Sequence, residues 1–424
     1  MLLTKKFWKD VIIGTIFVFA FMAFAGKFLT IFGFLDPVGE ALADMKITDQ
    51  VFSNPNFRLR PTPEDRVTII NFGRIGRGEI AQQLNIINKY KPRVVGIDTF
   101  FSSLKEDSLT DLILADALAN IENLVLGTQF LSPGDAEDPY YYKIHRSHPF
   151  FSQYADEASV GLVAEEAGTQ QHQFKVVRQF RTQSQYLDTI SQEITTHMAF
   201  GIKLAEYLDP EAARDFLARG KEEELINYRG NVFDIDNLEQ SKFFVIDWMD
   251  VLSEDFDPSL ITDKIVIFGQ VGETLGEPYW VEDKFFTPMN KKYAGRADLD
   301  MYGVVIHANI VSMVLNRDYL DTMTEFQGYV VAIILCIFNV GIFTWIYRKL
   351  PLWYDGLTKL IQLTEVIIIM GAIVLVFNWY SYELEVTIAI IAILLAGDAL
   401  EVLFGVGYNL FDNKKRKLLF TTRS

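Results

Sequence analysis

The sequence has a single cysteine among its 424 residues, Cys336, and this cysteine lies in an apolar run. One cysteine excludes a disulfide framework and a cysteine-rich metal site. Basic residues are also few, since 39 lysines and arginines stand against 55 aspartates and glutamates, which gives a net charge of −16. Such an acidic balance disfavours nucleic acids and anionic lipids as partners.

The sequence also lacks the common catalytic motifs. It contains no G-x-S-x-G, no H-E-x-x-H and no P-loop, so we expect no enzymatic activity, no metal and no cofactor. The stretch "HRSH" (145–148) has an H-x-x-H spacing near Asp135, Glu137 and Asp138, but two histidines in an irregular loop are typical of a polar surface. His307 lies on an apolar helix, which favours a hydrogen-bonded core residue over a ligand.

Long apolar runs are what the sequence has in abundance. Half of its residues are apolar and the mean hydropathy is +0.15, although 22% of the residues are charged. This mixture indicates a polar domain joined to membrane segments. A transmembrane helix needs about 20 apolar residues, and four segments are predicted to be such helices: 11–35, 326–347, 360–380 and 386–411.

The positive charges that flank these segments predict their orientation. They fall before the first segment, between the second and the third, and after the fourth: Lys5, Lys6, Lys9, Arg348, Lys349, Lys359 and "NKKRK" (413–417). By the positive-inside rule, residues 1–10, the 347–359 loop and the tail 412–424 are cytoplasmic. Residues 36–322 then form one extracytoplasmic domain of a multi-pass membrane protein.

The first apolar segment allows a second interpretation. A basic start, an apolar centre and the small residues "AFAG" (23–26) are also typical of a cleaved signal peptide. Apolar residues nevertheless continue beyond Lys27 as "FLTIFGFL", so we favour a retained membrane anchor.

The outer segment alternates between strand and helix patterns, which predicts an α/β domain with a mixed sheet. The predicted elements are strand 67–72, helix 79–90, strand 93–100, helix 107–120, strand 123–128, strands 159–163 and 174–181, a long helix 187–208, strand 263–269 and helix 303–316. Residues 131–151 have no periodicity and are predicted to be a long irregular excursion.

The stretch "VTIINFGRIGRGEIAQQLN" (67–85) resembles a nucleotide-binding turn, because three glycines join an apolar strand to a helix. The glycine order is G-x-x-G-x-G rather than G-x-G-x-x-G, and the predicted topology places the turn outside, away from cytosolic nucleotides. Two interpretations remain. The turn requires a positive φ angle, or it holds a small anion at the amino end of the helix.

A second glycine-rich turn, 269–276, follows another predicted strand in the same sense. If the two strands are parallel neighbours, both turns meet at one edge of the sheet, where open α/β sheets bind ligands. The candidate ligand-binding residues are therefore Arg74, Arg77, Gly78, Asp98, Gln270 and Thr274.

Three acidic residues, Glu365, Asp398 and Glu401, lie inside the predicted transmembrane helices, and Asn339 lies at about the same depth. A charge in hydrocarbon costs about 2.5–3.5 kcal/mol or more, and we expect no basic residue of these helices at the same depth. Either the carboxyls are protonated and hydrogen-bonded, or another subunit supplies the cation, which makes the four residues candidate partner-binding residues. The alternative is that the polar ends of these helices extend further into the predicted ranges, so that the four residues lie outside the hydrocarbon.

The pieces of the outer domain resemble, in their order, the second type of CHASE domain. The matching pieces are "VVGIDTFF", "KVVRQFR" around Arg178, "ELINYRG", "DKIVIFGQVGETLG", Asp283 with "FFTP", and "GVVIHAN". The resemblance covers about residues 67 to 322 and extends to the membrane layout, with one helix before the domain and three after it. Arg178 and Arg229 in these pieces are either ligand contacts or members of internal ion pairs.

The resemblance implies a sensory module outside the membrane, on a multi-pass protein of the bacterial inner membrane. Two departures stand out. Asn71 lies where the family usually has an aspartate, and only 13 residues follow Phe411, where the family usually continues into a cytoplasmic catalytic domain. We therefore expect a sensor or receptor subunit that binds a small extracytoplasmic ligand and passes its signal to a separate protein. The alternatives are a structural subunit of a larger membrane complex and, third, an extracytoplasmic enzyme.

Overall fold

The structure is a computed structural model, and it describes residues 5–31, 48–54, 62–105, 108–133, 140–163, 176–232, 241–275, 282–290 and 299–407. The chain divides into two compact units. The first, which we call the α/β unit, is Asp49–Leu320, and the second, the helical unit, combines Met1–Thr48 with Asp321–Ser424.

The α-helices, in chain order, are α1 (Lys5–Ile31), α2 (Asp49–Ser53), α3 (Arg77–Lys89), α4 (Ser108–Ala119), α5 (Pro149–Ser152), α6 (Phe200–Leu208), α7 (Pro210–Leu217), α8 (Trp248–Ser253), α9 (Gly303–Asn316), α10 (Glu325–Lys349), α11 (Tyr354–Tyr380) and α12 (Thr387–Val402). Short 3₁₀ turns occupy Pro258–Leu260 and Pro351–Trp353, and a π turn at Leu403–Gly407 follows α12.

The strands of the α/β unit are β1 (Val67–Asn71), β2 (Val94–Ile97), β3 (Leu124–Pro133), β4 (Tyr140–His145), β5 (Asp156–Ser159), β6 (Leu162–Val163), β7 (Gln179–Arg181), β8 (Gln183–Leu187), β9 (Ile194–Met198), β10 (Glu223–Leu225), β11 (Asn231–Val232), β12 (Ser241–Ile246), β13 (Ile265–Gly269), β14 (Lys284–Phe285) and β15 (Met301–Tyr302). The helical unit contains β16 (Asp321–Thr322) and β17 (Tyr382–Glu383), which pair in parallel.

The central sheet has the strand order β11-β12-β1-β13-β2-β3-β4-β8-β9, and β5 also pairs with β3. The strands from β11 to β3 are parallel, whereas β3 pairs with β4, and β8 with β9, in antiparallel fashion. Strands β1, β2 and β13 are buried along their whole lengths, as expected of parallel strands covered on both faces. The prediction of an α/β domain with a mixed sheet is confirmed.

Helices cover both faces of the parallel strands. On one face, α3 packs against α4, and their apolar residues share a core with Ile70, Ile97 and Val251. On the other face, α6 and α9 pack against each other and against the strands. Every residue of helix α9 except the last, Asn316, is buried, which explains its largely apolar sequence and its agreement with the predicted helix 303–316.

The predicted long helix 187–208 is wrong in its first half. Residues 183–198 form the hairpin of β8 and β9, and the helix begins only at Phe200. The segment "ITTHM" (194–198) contains three successive β-branched residues, which favour a strand. The predicted excursion 131–151 is also partly regular, because β4 pairs with the last residues of β3 and α5 follows it.

Among its described residues, the helical unit contains four helices that are long and apolar enough to span a membrane: Lys5–Lys27, Glu325–Lys349, Pro351–Tyr380 and Thr387–Gly405. The prediction of four such helices is therefore confirmed. Helix α11 begins at Tyr354, earlier than the predicted 360, because a 3₁₀ turn at Pro351–Trp353 leads directly into it. The basic tail 413–417 lies outside the described residues.

Candidate functional site

The carboxyl ends of the parallel strands meet at one edge of the central sheet, which we call the carboxyl edge (residues 71–78, 98–101, 247–248 and 270–275). Strand β1 pairs with β13 along its whole length, so that Asn71 lies beside Gly269. The condition set for the two glycine-rich turns is therefore met. Both turns lie on this edge, as far as the second is described.

Asn71 is the centre of a buried hydrogen-bond network at the carboxyl edge. Its Oδ1 accepts from the Val271 N–H at 2.8 Å and from the Gly73 N–H at 3.3 Å. Its Nδ2 donates to Asp247 Oδ1 at 2.8 Å and to the Gly272 carbonyl at 3.2 Å. An aspartate at this position would place a second carboxylate against Asp247, so the amide explains the departure from the usual family residue.

The three glycines of the first turn have different roles. Gly73 has a φ of +64°, and a Cβ there would lie 2.2 Å from the Trp248 ring. Gly76 precedes α3, where its N–H donates to the Glu79 carboxylate at 3.1 Å, and Gly78 lies in the first turn of the helix. The predicted turn with positive φ is confirmed at Gly73.

Arg77 is engaged within the α/β unit and is buried. Its guanidinium forms an ion pair with Asp111, donates to the Ser103 carbonyl at 2.7 Å and lies over the Phe151 ring at 5.2 Å. The structure therefore does not bring this guanidinium to the glycine-rich turns. Arg74, which precedes it on the loop, is exposed.

Gln270 and Thr274 lie on the second turn of the carboxyl edge. The Gln270 amide donates to the Gly272 carbonyl at 2.9 Å, and Thr274 is half-buried. The Trp248 indole N–H also binds this turn, since it donates to the Glu273 carbonyl at 3.1 Å. Backbone and side-chain groups of this edge thus bond largely to one another.

Asp98 follows β2 and differs from its neighbours, because its carboxylate receives no hydrogen bond from any described residue. His307 Nε2 lies 3.8 Å from Asp98 Oδ2, which is too far for a hydrogen bond. Burial raises the pKa of Asp98 well above its usual value, and the charge of Asp283 raises it further. Asp283 itself is exposed at the surface beside Gly303, so water screens part of this repulsion.

His307 is a core residue, as expected, but it is not the hydrogen-bonded one that the sequence suggested. Its side chain is 3% exposed, and its Nδ1 has no partner within the described part of the chain. Burial lowers the pKa of His307 to about 4, so at neutral pH the ring is uncharged. Asp98 and His307 are therefore brought together, but without a compensating positive charge.

The opposite edge of the sheet contains a cavity of about 500 Å³ that sequence reasoning missed. We call it the amino-edge cavity, because it lies where β1 and β12 begin. Its lining consists of residues from four separate segments: Thr62, Pro63, Glu64, Asp65, Arg66, Arg229, Lys242, Ser312, Met313, Asn316 and Asp318.

Glu64 is the most heavily bonded residue of this cavity, and it is 4% exposed. Its carboxylate accepts from Arg66 Nε at 2.6 Å, from Ser312 Oγ at 2.8 Å and from Asn316 Nδ2 at 3.0 Å. Burial alone would raise the pKa of Glu64, but the hydrogen bonds from Arg66 and Ser312 outweigh it and lower the pKa to about 2. Glu64 is therefore ionised at neutral pH.

Three cationic side chains face this cavity. Arg66 is bonded to Glu64, and Arg229 pairs with Asp318 through Nε at 2.5 Å and Nη2 at 2.7 Å. The Lys242 ammonium is 4.0 Å from Glu64 Oε2. Helix α9 fixes the Arg229 backbone, because Asn309 Oδ1 accepts from the Arg229 N–H at 2.9 Å.

Arg178 and Arg229 both belong to internal ion pairs, which was one of the two interpretations left open. Arg178 donates to both carboxylate oxygens of Asp49, at 2.7 and 3.2 Å, and both side chains are buried. This pair ties α2 to the segment that leads into β7.

The histidines of "HRSH" have local roles. His145 Nε2 is 2.7 Å from the Ser102 hydroxyl, and His148 Nδ1 accepts from the Phe150 N–H at the start of α5. No group of three or more metal-ligating side chains occurs among the described residues. Asp135, Glu137 and Asp138 lie outside them.

The expectation that the membrane carboxyls lack a nearby cation is wrong for Asp398. The Lys359 ammonium lies 2.6 Å from Asp398 Oδ1, and both side chains are more than half exposed on the helical unit. The error arose because α11 begins before Lys359, which places this lysine in the helix rather than in the preceding loop. Glu401, one turn after Asp398 on α12, is exposed as well.

Asn339 and Glu365 lie nearer the middle of their helices and face each other. Asn339 is fully buried and its Nδ2 donates to the Leu335 carbonyl at 3.2 Å. Asn339 Oδ1 and one oxygen of Glu365 have no hydrogen-bond donor among the residues that the structure describes. The two pairs, Lys359–Asp398 and Asn339–Glu365, are thus distinct arrangements.

Comparison with known proteins identifies the family. The family model of the CHASE2 domain matches residues 28–343, which is well over half of the chain and includes the whole described α/β unit. Comparison with curated proteins and with solved structures gives no match. The match agrees with the resemblance carried by the sequence pieces around Asp98, Asp283 and His307. The chain therefore belongs to the CHASE2 family of sensory domains.

Proposed function

We propose that this protein is a multi-pass membrane sensor whose α/β unit lies outside the cytoplasm and passes a change in its state to a separate protein. The family supports a sensory role, and the four apolar helices support membrane anchoring. Arg348 pairs with Asp10, which brings the end of α10 and the start of α1 together. Because positive charges favour the cytoplasmic side, this basic end is the cytoplasmic one.

The observation that carries the proposal is the buried network around Glu64. It ties the segment that enters β1 to the last turn of α9 through Ser312 and Asn316. The α/β unit ends at Leu320 and α10 begins at Glu325. A ligand that binds one state of this network more tightly shifts the segment that enters β1 and the last turn of α9, which leads through Leu320 to α10.

The first test is topological. Reporter domains inserted within residues 140–145, within 350–353 and after residue 411 are expected to report the outside, the cytoplasm and the cytoplasm, respectively. The insertion sites are β4, whose side chains are at least partly exposed, and the connection between α10 and α11. A cytoplasmic signal from the 140–145 insertion would refute the proposed orientation, and with it extracytoplasmic sensing.

The second candidate function is that of an assembly subunit, and the exposed Lys359–Asp398 pair with Glu401 favours it. Charges on the surface of a membrane helix are costly unless they face a partner or the interface. The variant Asp398→Asn with Glu401→Gln is expected to fold and insert but to lose its partner, since truncating one side of a buried charged contact costs about 3–5 kcal/mol.

The measurement is native mass after purification in mild detergent, with Glu325→Gln, at the start of α10, as the matched control. A variant that retains every wild-type partner, or a wild type that purifies alone, would show that these acids do not dock a partner. The charges would then be solvated at the membrane interface.

A further inference from the structure

Several hydrogen-bond donors of the amino-edge cavity have no protein acceptor among the described residues. Arg66 uses Nε and Nη2 for Glu64 and Nη2 for Asn316, and Arg229 uses Nε and Nη2 for Asp318. Neither Nη1 group has an acceptor among the described residues. Each guanidinium therefore keeps a free N–H edge beside the cavity.

The Lys242 ammonium also has hydrogen-bond donors without an acceptor in the described part of the chain. Its side chain is 7% exposed, and its ammonium donates only to the Thr62 carbonyl, at 3.3 Å. An ammonium has three donors, so two of them lack a protein acceptor in the described structure. Burial lowers the pKa of Lys242, and Arg229 and Arg66 lower it further, although Glu64 opposes them.

The carboxylates of the cavity already accept hydrogen bonds from other groups. Both oxygens of Glu64 are used, since Oε1 accepts from Arg66 and Oε2 accepts from Arg66, Ser312 and Asn316. Both oxygens of Asp318 are used by Arg229. Asp65 is 80% exposed and lies 3.7 Å from Lys264. A negatively charged acceptor in the cavity would therefore add partners for the N–H groups that have none among the described residues.

We propose that the amino-edge cavity binds a small oxyanion, a carboxylate or a phosphate, through the Lys242 ammonium and the Nη1 groups of Arg66 and Arg229. The cavity volume of about 500 Å³ lies within the range of small-molecule sites, roughly 300–1,000 Å³. The inference rests on the proposed function, for which it names the ligand class and the site. It also assigns the ligand to the edge of the sheet opposite the carboxyl edge, where the sequence had predicted the site.

The test is the melting temperature of the full-length protein in nanodiscs of zwitterionic lipid. Succinate and inorganic phosphate are titrated separately at constant ionic strength, with chloride as the reference anion. Saturable stabilisation by one of them, by several degrees, is expected, because a ligand that binds only the folded state raises the melting temperature. The anion that raises the melting temperature shows whether the ligand is a carboxylate or a phosphate.

The decisive variant is Lys242→Met, which removes the ammonium and keeps the apolar stem. Loss of a hydrogen bond to a charged group is expected to weaken binding by about tenfold or more. Without added anion, the variant should melt at the wild-type temperature or above it, because a poorly paired buried charge is gone. A merely structural lysine would instead give a lower melting temperature.

Three further variants keep the test conclusive. Lys242→Arg retains a cation and should retain the anion response, and Arg229→Lys, which can still pair with Asp318, should weaken it severalfold. Lys89→Met removes a lysine whose side chain is 57% exposed and should respond as wild type.

The proposal is overturned if neither anion stabilises the wild type more than chloride, or if Lys242→Met and Arg229→Lys respond as wild type. An absent response combined with an external signal from the 140–145 reporter would reject the ligand class alone. A cytoplasmic reporter signal would reject the proposed function instead.

Discussion

Arg77→Ala is expected to lower the free energy of unfolding of the α/β unit by about 3–5 kcal/mol, the usual cost of breaking a buried ion pair by removing one partner. The substitution leaves Asp111 buried without its cation and removes the donor to the Ser103 carbonyl. It also removes the guanidinium from above the Phe151 ring. Denaturant unfolding of the full-length protein in detergent micelles measures the effect.

Arg74→Ala is the matched control, because Arg74 lies three residues earlier on the same loop and is exposed. It should change the free energy of unfolding by about 1 kcal/mol or less. If Arg77→Ala is equally mild and instead abolishes stabilisation by an added anion, the sequence-based assignment of Arg77 to a ligand site is correct. The structural role would then be refuted.

Glu64→Gln is expected to have the second largest effect, a loss of about 3 kcal/mol at pH 7. The pKa of Glu64 is lowered from 4.5 to about 2 in the folded protein, and each unit corresponds to about 1.4 kcal/mol. The folded state therefore binds fewer protons than the unfolded state between these pH values. This contribution is fully present above pH 4.5 and is lost as the pH falls through the folded pKa of about 2.

Denaturant unfolding of the wild type and of Glu64→Gln at pH 7, 5, 4 and 3 measures this contribution. The difference between the two proteins should be constant from pH 7 to 5 and shrink below pH 4.5. Asp65→Asn is the control, since Asp65 adjoins Glu64 but is 80% exposed and should contribute less than about 1 kcal/mol. A difference that does not depend on pH would show that the loss comes from packing rather than from the charge of Glu64.

The regular parts of the fold follow directly from local sequence patterns. The runs "VTIIN", "VVGI" and "IVIFG" are continuously apolar or small, which predicts buried parallel strands, and these are β1, β2 and β13. The hairpin of β8 and β9 was missed because its polar, partly exposed residues have no clear period of two. The strand character of "ITTHM" comes instead from its β-branched side chains.

The carboxyl edge could be predicted because parallel strands place their turns together, and Asp98 was found in this way. The amino-edge cavity could not, because Glu64, Lys242 and Asn316 come from distant segments and each resembles an ordinary surface residue. Only the sheet order, which places β12 beside β1, brings Lys242 to within 4.0 Å of Glu64. The cation for Asp398 was missed for a different reason, the position at which α11 begins.

The central claim is that an oxyanion at the amino edge changes the segment that enters β1 and the last turn of α9, and that the change extends to the start of α10. Hydrogen exchange of the full-length protein in nanodiscs, with and without the stabilising anion, tests it most directly. The account predicts slower exchange in residues 62–66 and 312–320, together with altered exchange in the first turn of α10, residues 324–328. A change confined to the turns 71–78 and 270–275, or no change beyond Leu320, would contradict it.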